Sequence, residues 1–102
     1  MSIVITSEMK EVIEKSAFIP IVSLSGDGKP HLIVVGKAKE IREDGILVFG
    51  VYKMEKTREN LGETGVMQAA VVLEKKGYRF SGKGQVEGDK VLLHVESAEL
   101  LL

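Results

Sequence analysis

Two lysines and a threonine stand at the start of a predicted helix, and these residue types at this spacing suit the binding of a phosphate group. Lys53, Lys56 and Thr57 fall within about a turn and a half of helix. Backbone amides at a helix start have no partner inside the helix, and the helix dipole places partial positive charge there. The three side chains add further donors, so the sequence predicts an anion site. The alternative is an exposed helix face with solvated lysines.

The other residues that could do chemistry form no catalytic or metal-binding motif. His31 and His94 are far apart in the sequence, and no serine lies in a nucleophile-elbow pattern. The chain has no cysteine, which excludes a thiolate nucleophile, a disulfide framework and a zinc–thiolate site. We therefore expect any reaction to come from a cofactor that the protein positions and tunes.

Five segments of the chain follow one another in an order and spacing that match one known family. They are Ser25-Gly26-Asp27-Gly28-Lys29-Pro30-His31-Leu32, Lys56-Thr57-x-x-Asn60-Leu61, Val66-Met67-Gln68-Ala69-Ala70-Val71-Val72, Tyr78-Arg79-Phe80-Ser81-Gly82-Lys83-Gly84 and Val95-Glu96-Ser97-Ala98-Glu99. On these segments the chain resembles the FMN-binding split-barrel family, whose best-known member type is pyridoxamine 5′-phosphate oxidase. The resemblance is strongest to the small FMN-binding proteins of that superfamily.

The resemblance implies an FMN-binding flavoprotein that transfers electrons, or that oxidises or reduces a small molecule. It assigns Lys56 and Thr57 to the cofactor phosphate, with Lys53 beside them. The family lays the isoalloxazine ring and the ribityl chain along two strands, which match Val34-Val35-Gly36 and Gly50-Val51-Tyr52. No catalytic side chain is implied, so it stays open whether the chain is an enzyme. If it is one, it is an FMN-dependent oxidoreductase.

Glycines inside strands need a physical reason, because each weakens its strand by roughly 0.5–1 kcal/mol relative to alanine. Barrel corners and bulges are one reason, and we assign it to Gly82 and Gly84. Close approach of a flat ligand to bare backbone is another. Gly36 and Gly50 lie on adjacent predicted strands that flank the anion site, so we expect them to make room for the cofactor.

Hydrophobic periodicity and turn residues predict a mainly β protein. We expect a six-stranded antiparallel split β-barrel of Greek-key type, with two short helices at residues 7–15 and 54–62. The predicted strands are residues 18–24, 31–41, 46–51, 66–74, 78–87 and those after 89. Gly88 opens a two-residue loop that is typical of a tight type II′ hairpin. The whole chain, residues 1–102, is predicted to form one domain.

Composition narrows the partners of this chain. Its residues are 44% hydrophobic and 28% charged with a net charge of −1, which gives no electrostatic reason to expect nucleic acid or an anionic membrane. No apolar run approaches the roughly 20 residues that cross a bilayer. The first residues lack the charged start and apolar run of a signal peptide. We therefore expect a cytoplasmic protein without nucleic-acid or membrane partners.

Two alternatives to FMN stay open. The barrel can bind another flavin-like cofactor, such as a deazaflavin, or haem, or it can be a non-catalytic binding module, for example for RNA. RNA binding requires surface aromatic residues among basic ones. The chain has five aromatic residues, and Phe18, Phe49 and Phe80 occupy strand positions that are predicted to be buried. The RNA alternative is therefore the weakest.

The three residues Leu100, Leu101 and Leu102 predict a homodimer. Burying one such side chain contributes roughly 1.5–3 kcal/mol, and the interior of a small barrel is already filled by strand residues. We expect a partner subunit to cover these leucines, and the alternative is that the tail folds over its own barrel. Because the family pairs two barrels around two flavins, the resemblance places FMN near the subunit interface and Leu102 near the ring bound by the partner.

Overall fold

A computed structural model describes residues 3–42, 44–51 and 53–102 of the chain. These residues form two helices and seven strands, so the protein is mainly β, as predicted. The elements are α1 (Ser7–Lys15), β1 (Ile19–Leu24), β2 (Pro30–Val35), β3 (Glu40–Arg42), β4 (Ile46–Gly50), α2 (Glu55–Glu63), β5 (Val66–Leu73), β6 (Lys76–Glu87) and β7 (Lys90–Leu100). No helix in these ranges has the length and apolar character needed to cross a membrane.

All seven strands belong to one antiparallel sheet with the order β2-β1-β5-β6-β7-β4-β3. The prediction of six strands is wrong, and the sheet is not closed by hydrogen bonds within the described residues. The predicted strand over residues 31–41 is interrupted at 36–39, because its first half pairs with β1 and its second half with β4. Since β1 and β4 lie far apart in the sheet, one continuous strand cannot serve both.

Alternation along the strands builds the core. Ile19 and Ile21 of β1 are fully buried, as are Phe80 of β6 and Leu93 of β7. The same alternation shows that the prediction of a buried Phe18 is wrong. Phe18 falls on the outward-facing side of the alternation in β1 and is 69% exposed. The other two phenylalanines, Phe49 and Phe80, are buried as predicted.

The two helices cover the sheet through a few specific contacts. Helix α1 begins one residue after its cap, Thr6, whose side chain accepts a hydrogen bond from the Met9 amide at 3.2 Å. Helix α2 packs against β1, β5 and β6 and buries Thr57, Asn60 and Leu61. The Asn60 side-chain amide donates to Ser23 Oγ of β1 at 3.1 Å, which fixes α2 relative to the sheet.

Candidate cofactor site

The start of α2 has backbone amides without partners inside the helix. Its first helical hydrogen bond runs from the Arg58 amide to the Met54 carbonyl at 2.8 Å. The amides of residues 55–57 therefore have no partner inside the helix. Met54 provides no side-chain cap, so these donors are not satisfied by the cap residue. Strand β4 ends at Gly50, and Lys53 lies between the strand and the helix with a positive φ of 54°.

Lys56 and Thr57 occupy different environments at the start of α2. Lys56 is exposed, and its ammonium lies 3.5 Å from a carboxylate oxygen of Glu59 one turn later. Thr57 is completely buried, and within the described residues its Oγ1 has no hydrogen-bond partner. A buried hydroxyl without a partner costs stability unless a further group, such as a ligand oxygen, satisfies it.

A cavity of about 490 Å³ lies between the edge strand β2 and the end of β4, beside the connection from β2 to β3. This volume is in the range of small-molecule sites. The cavity brings together half of the residues that the sequence analysis assigned to the cofactor, namely Val34, Val35, Gly36, Gly50 and Lys53. Ile33, Lys37, Ala38 and Lys39 complete its lining.

The two valines of this cavity point to opposite faces of β2. Val34 is 58% exposed on the outer face, whereas Val35 is half-buried and packs against the core. Because β2 is an edge strand, its second side has no strand partner in the sheet. A ring placed along β2 would therefore contact backbone groups and alternate side chains.

Two lysines of this cavity, Lys37 and Lys39, were missed by the sequence analysis. The sequence places them inside a predicted strand, and only the interruption at residues 36–39 brings them to the cavity. The Lys37 ammonium donates to the carbonyls of Glu14 and Ser16, at 2.9 and 3.5 Å, at the end of α1. With Lys53, the cavity has three lysines in its lining and, among the described residues, no carboxylate.

Five of the ten predicted site residues are not in the described lining of this cavity. Lys56 and Thr57 lie on α2 outside the lining, and the other three lie elsewhere or cannot be placed. Val51 is half-buried against the core and does not line the cavity. Tyr52 lies outside the described residues. Leu102 packs on Gly77 at the start of β6, and β6 lies three steps from β2 in the strand order. Within one subunit, then, Leu102 is separate from the cavity.

Neither histidine lines this cavity. His94 lines a second cavity, of about 590 Å³, between the end of α2 and the strands β6 and β7, where its Nε2 lies 3.0 Å from Gln85 Oε1. This second cavity mixes Lys83 with the carboxylates of Glu63 and Glu96. No group of three or more metal-ligating side chains occurs in the part of the chain that the structure describes.

Comparisons with known proteins give no match by sequence family and many by structure. No protein-family model matches the chain, and no curated protein is significantly similar to it. HupZ of Group A Streptococcus has a TM-score of 0.81 and 23% identity, over 95% of this chain and 94% of HupZ. An FMN-binding protein from Syntrophomonas wolfei subsp. wolfei has a TM-score of 0.71 and 14% identity, over 91% and 88%.

Other structures of the same shape have names that point to different cofactors. A protein of the pyridoxinephosphate oxidase family from Clostridium acetobutylicum has a TM-score of 0.65 and 14% identity, over 91% of this chain and 84% of its own. An F420 reductase has a TM-score of 0.62, and HutZ, the haem storage protein from Vibrio cholerae, has 0.64, each at 12% identity. This chain therefore has the split-barrel fold of the FMN-binding and pyridoxamine 5′-phosphate oxidase-like proteins.

Proposed function

We propose that this chain is an FMN-binding flavoprotein of the cytoplasm, which transfers electrons or oxidises or reduces a small molecule. The observation that carries the proposal is the cavity beside β2, whose described lining has three lysines and no carboxylate and which adjoins the start of α2. A positively charged cleft next to free helix amides favours a phosphate-bearing ligand. Bound FMN supplies the redox chemistry, and the residues of the chain bind and orient it.

In this proposal the two ends of FMN use different parts of the site. The phosphate binds at the amides of residues 55–57 with Lys56, Thr57 and Lys53, and the unsatisfied hydroxyl of Thr57 supports its role there. The ring and ribityl chain lie along two backbone segments. These segments are Val34-Val35-Gly36 and Gly50-Val51-Tyr52.

Haem and a deazaflavin are the alternative cofactors, because HutZ and the F420 reductase share this fold. Histidine is a common axial ligand of haem iron, and neither His31 nor His94 lines the cavity, which disfavours haem bound there through histidine. A deazaflavin has a flat ring and a phosphate group like FMN, so the same lysines would serve it. A non-catalytic binding module is the remaining alternative.

We further propose a homodimer with the cofactor near the interface. Leu32 and Val34 are 63% and 58% exposed on the outer face of β2, and their Cα partners on β1 are Val22 and Pro20. These four residues form a continuous apolar patch, which is the kind of surface that a partner subunit covers.

The first test is the absorbance of the purified protein and its titration with FMN, riboflavin, a deazaflavin and haem. Bound FMN gives a yellow protein with flavin bands, and we expect FMN to bind more tightly than riboflavin, because only FMN carries the phosphate. Loss of flavin fluorescence measures binding. A protein that binds haem or a deazaflavin but not FMN would contradict the proposal, and one that binds none of them would favour the binding module.

Variants at the start of α2 test the phosphate assignment. Lys56→Ala and Thr57→Val should each weaken FMN binding by one to two decades, because each loses a charge-assisted bond worth about 1.5–3 kcal/mol. Riboflavin binding should stay the same. Thr57→Val replaces only an unsatisfied hydroxyl, so the protein without ligand should be no less stable.

Lys10→Ala, at an exposed lysine on α1, is the matched control and should leave both affinities unchanged. If Lys56→Ala and Thr57→Val bind FMN as tightly as wild type, then the phosphate does not bind at this helix start.

A further inference from the structure

The side chain of Lys39 lies close to the backbone of Gly50. A Cβ at position 50 would lie 3.1 Å from Cε of Lys39, so the lysine side chain crosses the bare backbone at the end of β4. The Lys39 amide donates to the Val48 carbonyl at 2.7 Å, which holds the backbone of Lys39 against β4. The space above Gly50, which the sequence analysis assigned to a ligand, is thus partly used by Lys39 itself.

The ammonium group of Lys39 has no bonding partner among the described residues. Within the described residues it makes no hydrogen bond or ion pair, and the neighbouring carboxylate of Glu40 pairs with Arg42 at 3.4 Å. Lys37 lines the same cavity with the same charge, but its ammonium is bound by the carbonyls at the end of α1. The two lysines therefore form a matched pair, of which only Lys39 is available to a ligand.

We propose that Lys39 is a further cofactor-binding cation, which acts on the flavin ring and not on the phosphate group at α2. This inference rests on the proposed function. The amides and side chains at the start of α2 already provide for the phosphate, whereas Lys39 reaches the cavity from the β2–β3 connection, beside the segments assigned to the ring. A cation beside the ring stabilises the charge state that carries more negative charge. Lys39 thereby raises both the affinity of the site for the flavin ring and the redox potential of the bound flavin.

The experiment compares Lys39→Gln with Lys37→Gln and the charge-retaining Lys39→Arg. Lys39→Gln should weaken FMN and riboflavin by the same factor, about tenfold, because the lost contact is to the ring that both ligands share. Lys37→Gln removes the same charge from the same cavity and should change both affinities much less. Lys39→Arg should keep most of the binding.

The midpoint potential of bound FMN is the second readout. Reduction by dithionite adds two electrons and, with one proton from water, leaves a net negative charge on a flavin ring. Lys39→Gln should therefore lower the potential, while Lys37→Gln should leave it near that of wild type. Thermal melts of all three variants check that each is folded.

Three results would overturn the assignment of Lys39. One is a loss of FMN binding without a loss of riboflavin binding, which would make Lys39 a phosphate ligand. Another is equal effects of Lys39→Gln and Lys37→Gln, which would show only the general field of the cavity. The third is no change in affinity or potential. A wild-type protein that binds neither flavin would instead refute the proposed function, and this inference with it.

Discussion

At the scale of single residues, glycines in the strands of this protein have different physical causes. Gly82 lies at a β-bulge, where the pairing of β6 with β7 shifts by one residue. Gly84 leaves room for the side chains of Leu61 and Met67, which a Cβ would approach to 2.5 and 2.9 Å. A Cβ added at Gly50 would meet the flexible end of the exposed Lys39 side chain at 3.1 Å, which can move aside. A Cβ added at Gly36 would meet no atom within 4 Å, so nothing among the described residues of its own subunit requires a glycine there.

Gly82→Ala and Gly36→Ala should therefore differ in stability. A Cβ at residue 82 would lie 2.0 Å from the His94 carbonyl oxygen and 2.9 Å from the Glu96 amide, and backbone atoms cannot move aside cheaply. We expect Gly82→Ala to lower the free energy of unfolding by about 2–4 kcal/mol. Gly36→Ala should change it by no more than about 0.5 kcal/mol. Urea denaturation without flavin measures both, and a Gly82→Ala protein as stable as wild type would contradict the bulge interpretation.

The sequence identified the residues of the candidate site where local chemistry marks them, and missed those that depend on the path of the chain. Lys53, Lys56 and Thr57 were recognisable because they cluster in sequence at a predicted helix start, where donors suit an anion. Lys37 and Lys39 resembled alternating charges on a strand. They reach the cavity only because residues 36–39 leave the sheet, and that departure is set by which strands lie next to β2 and β3.

At the scale of elements, Glu8 of α1 makes polar contacts with two residues of β6. The Tyr78 hydroxyl donates to Glu8 Oε1 at 2.8 Å, and the Lys76 ammonium lies 3.7 Å from Glu8 Oε2. Both partners lie near the start of β6. The hydrogen bond to Glu8, followed by burial and the charge of Glu8, raises the pKa of Tyr78 above its ordinary value of 10.0.

This shift predicts how the contact depends on pH. Because the folded protein holds the phenol proton more tightly than the unfolded chain, the stabilisation is complete below pH 10.0 and is lost as the pH rises through the higher folded pKa. The difference in unfolding free energy between wild type and Tyr78→Phe should thus be constant from about pH 7 to 9 and shrink above about pH 10.

Glu8→Gln removes the carboxylate charge but leaves an oxygen that can accept the bond, so it should show a weaker dependence on alkaline pH. A difference between wild type and Tyr78→Phe that stays constant up to about pH 11 would contradict the role of this bond.

Local signals predicted the elements well. Helix α1 has the predicted bounds, and Thr6 caps it. The two-residue loop at Gly88 has the positive φ of 60° that the turn requires, and Glu87 pairs with Lys90. The long strand over residues 31–41 was wrong because hydrophobic alternation continues on both sides of the interruption. No local sequence signal in that segment indicates that its two halves pair at opposite ends of the sheet.

At the scale of the whole molecule, the side chains of residues 100–102 remain exposed in their own subunit. The Leu101 amide donates to the Gly77 carbonyl at 2.8 Å, so residues 100–102 continue along β6 instead of folding into the barrel. Leu100 and Leu102 remain 72% and 64% exposed. This arrangement leaves the proposed partner subunit as the group that would cover them.

Deletion of residues 100–102 tests that role. If the tail contributes to the dimer interface, then the deletion should shift the mass measured by light scattering toward the monomer and weaken FMN binding in the same preparation. Val86→Ser, which removes an exposed apolar side chain at the other end of β6, is the control and should leave both unchanged.

An unchanged mass with unchanged FMN affinity would show that residues 100–102 are not part of the dimer interface. A wild-type protein that is monomeric when fully loaded with flavin would contradict the dimer itself.

The strand order has a thermodynamic consequence for any ligand of the cavity beside β2. The cavity is bounded by β2, at one edge of the sheet, and by the end of β4, which is five steps away in the strand order. The two walls are also joined directly by the connection at residues 36–39, which lines the same cavity. A ligand that contacts both walls binds only the folded arrangement, so saturation protects the folded sheet against global unfolding. At a free ligand concentration of about 100 times Kd, that protection amounts to about 2.7 kcal/mol. It would be measured as slower amide exchange across the sheet.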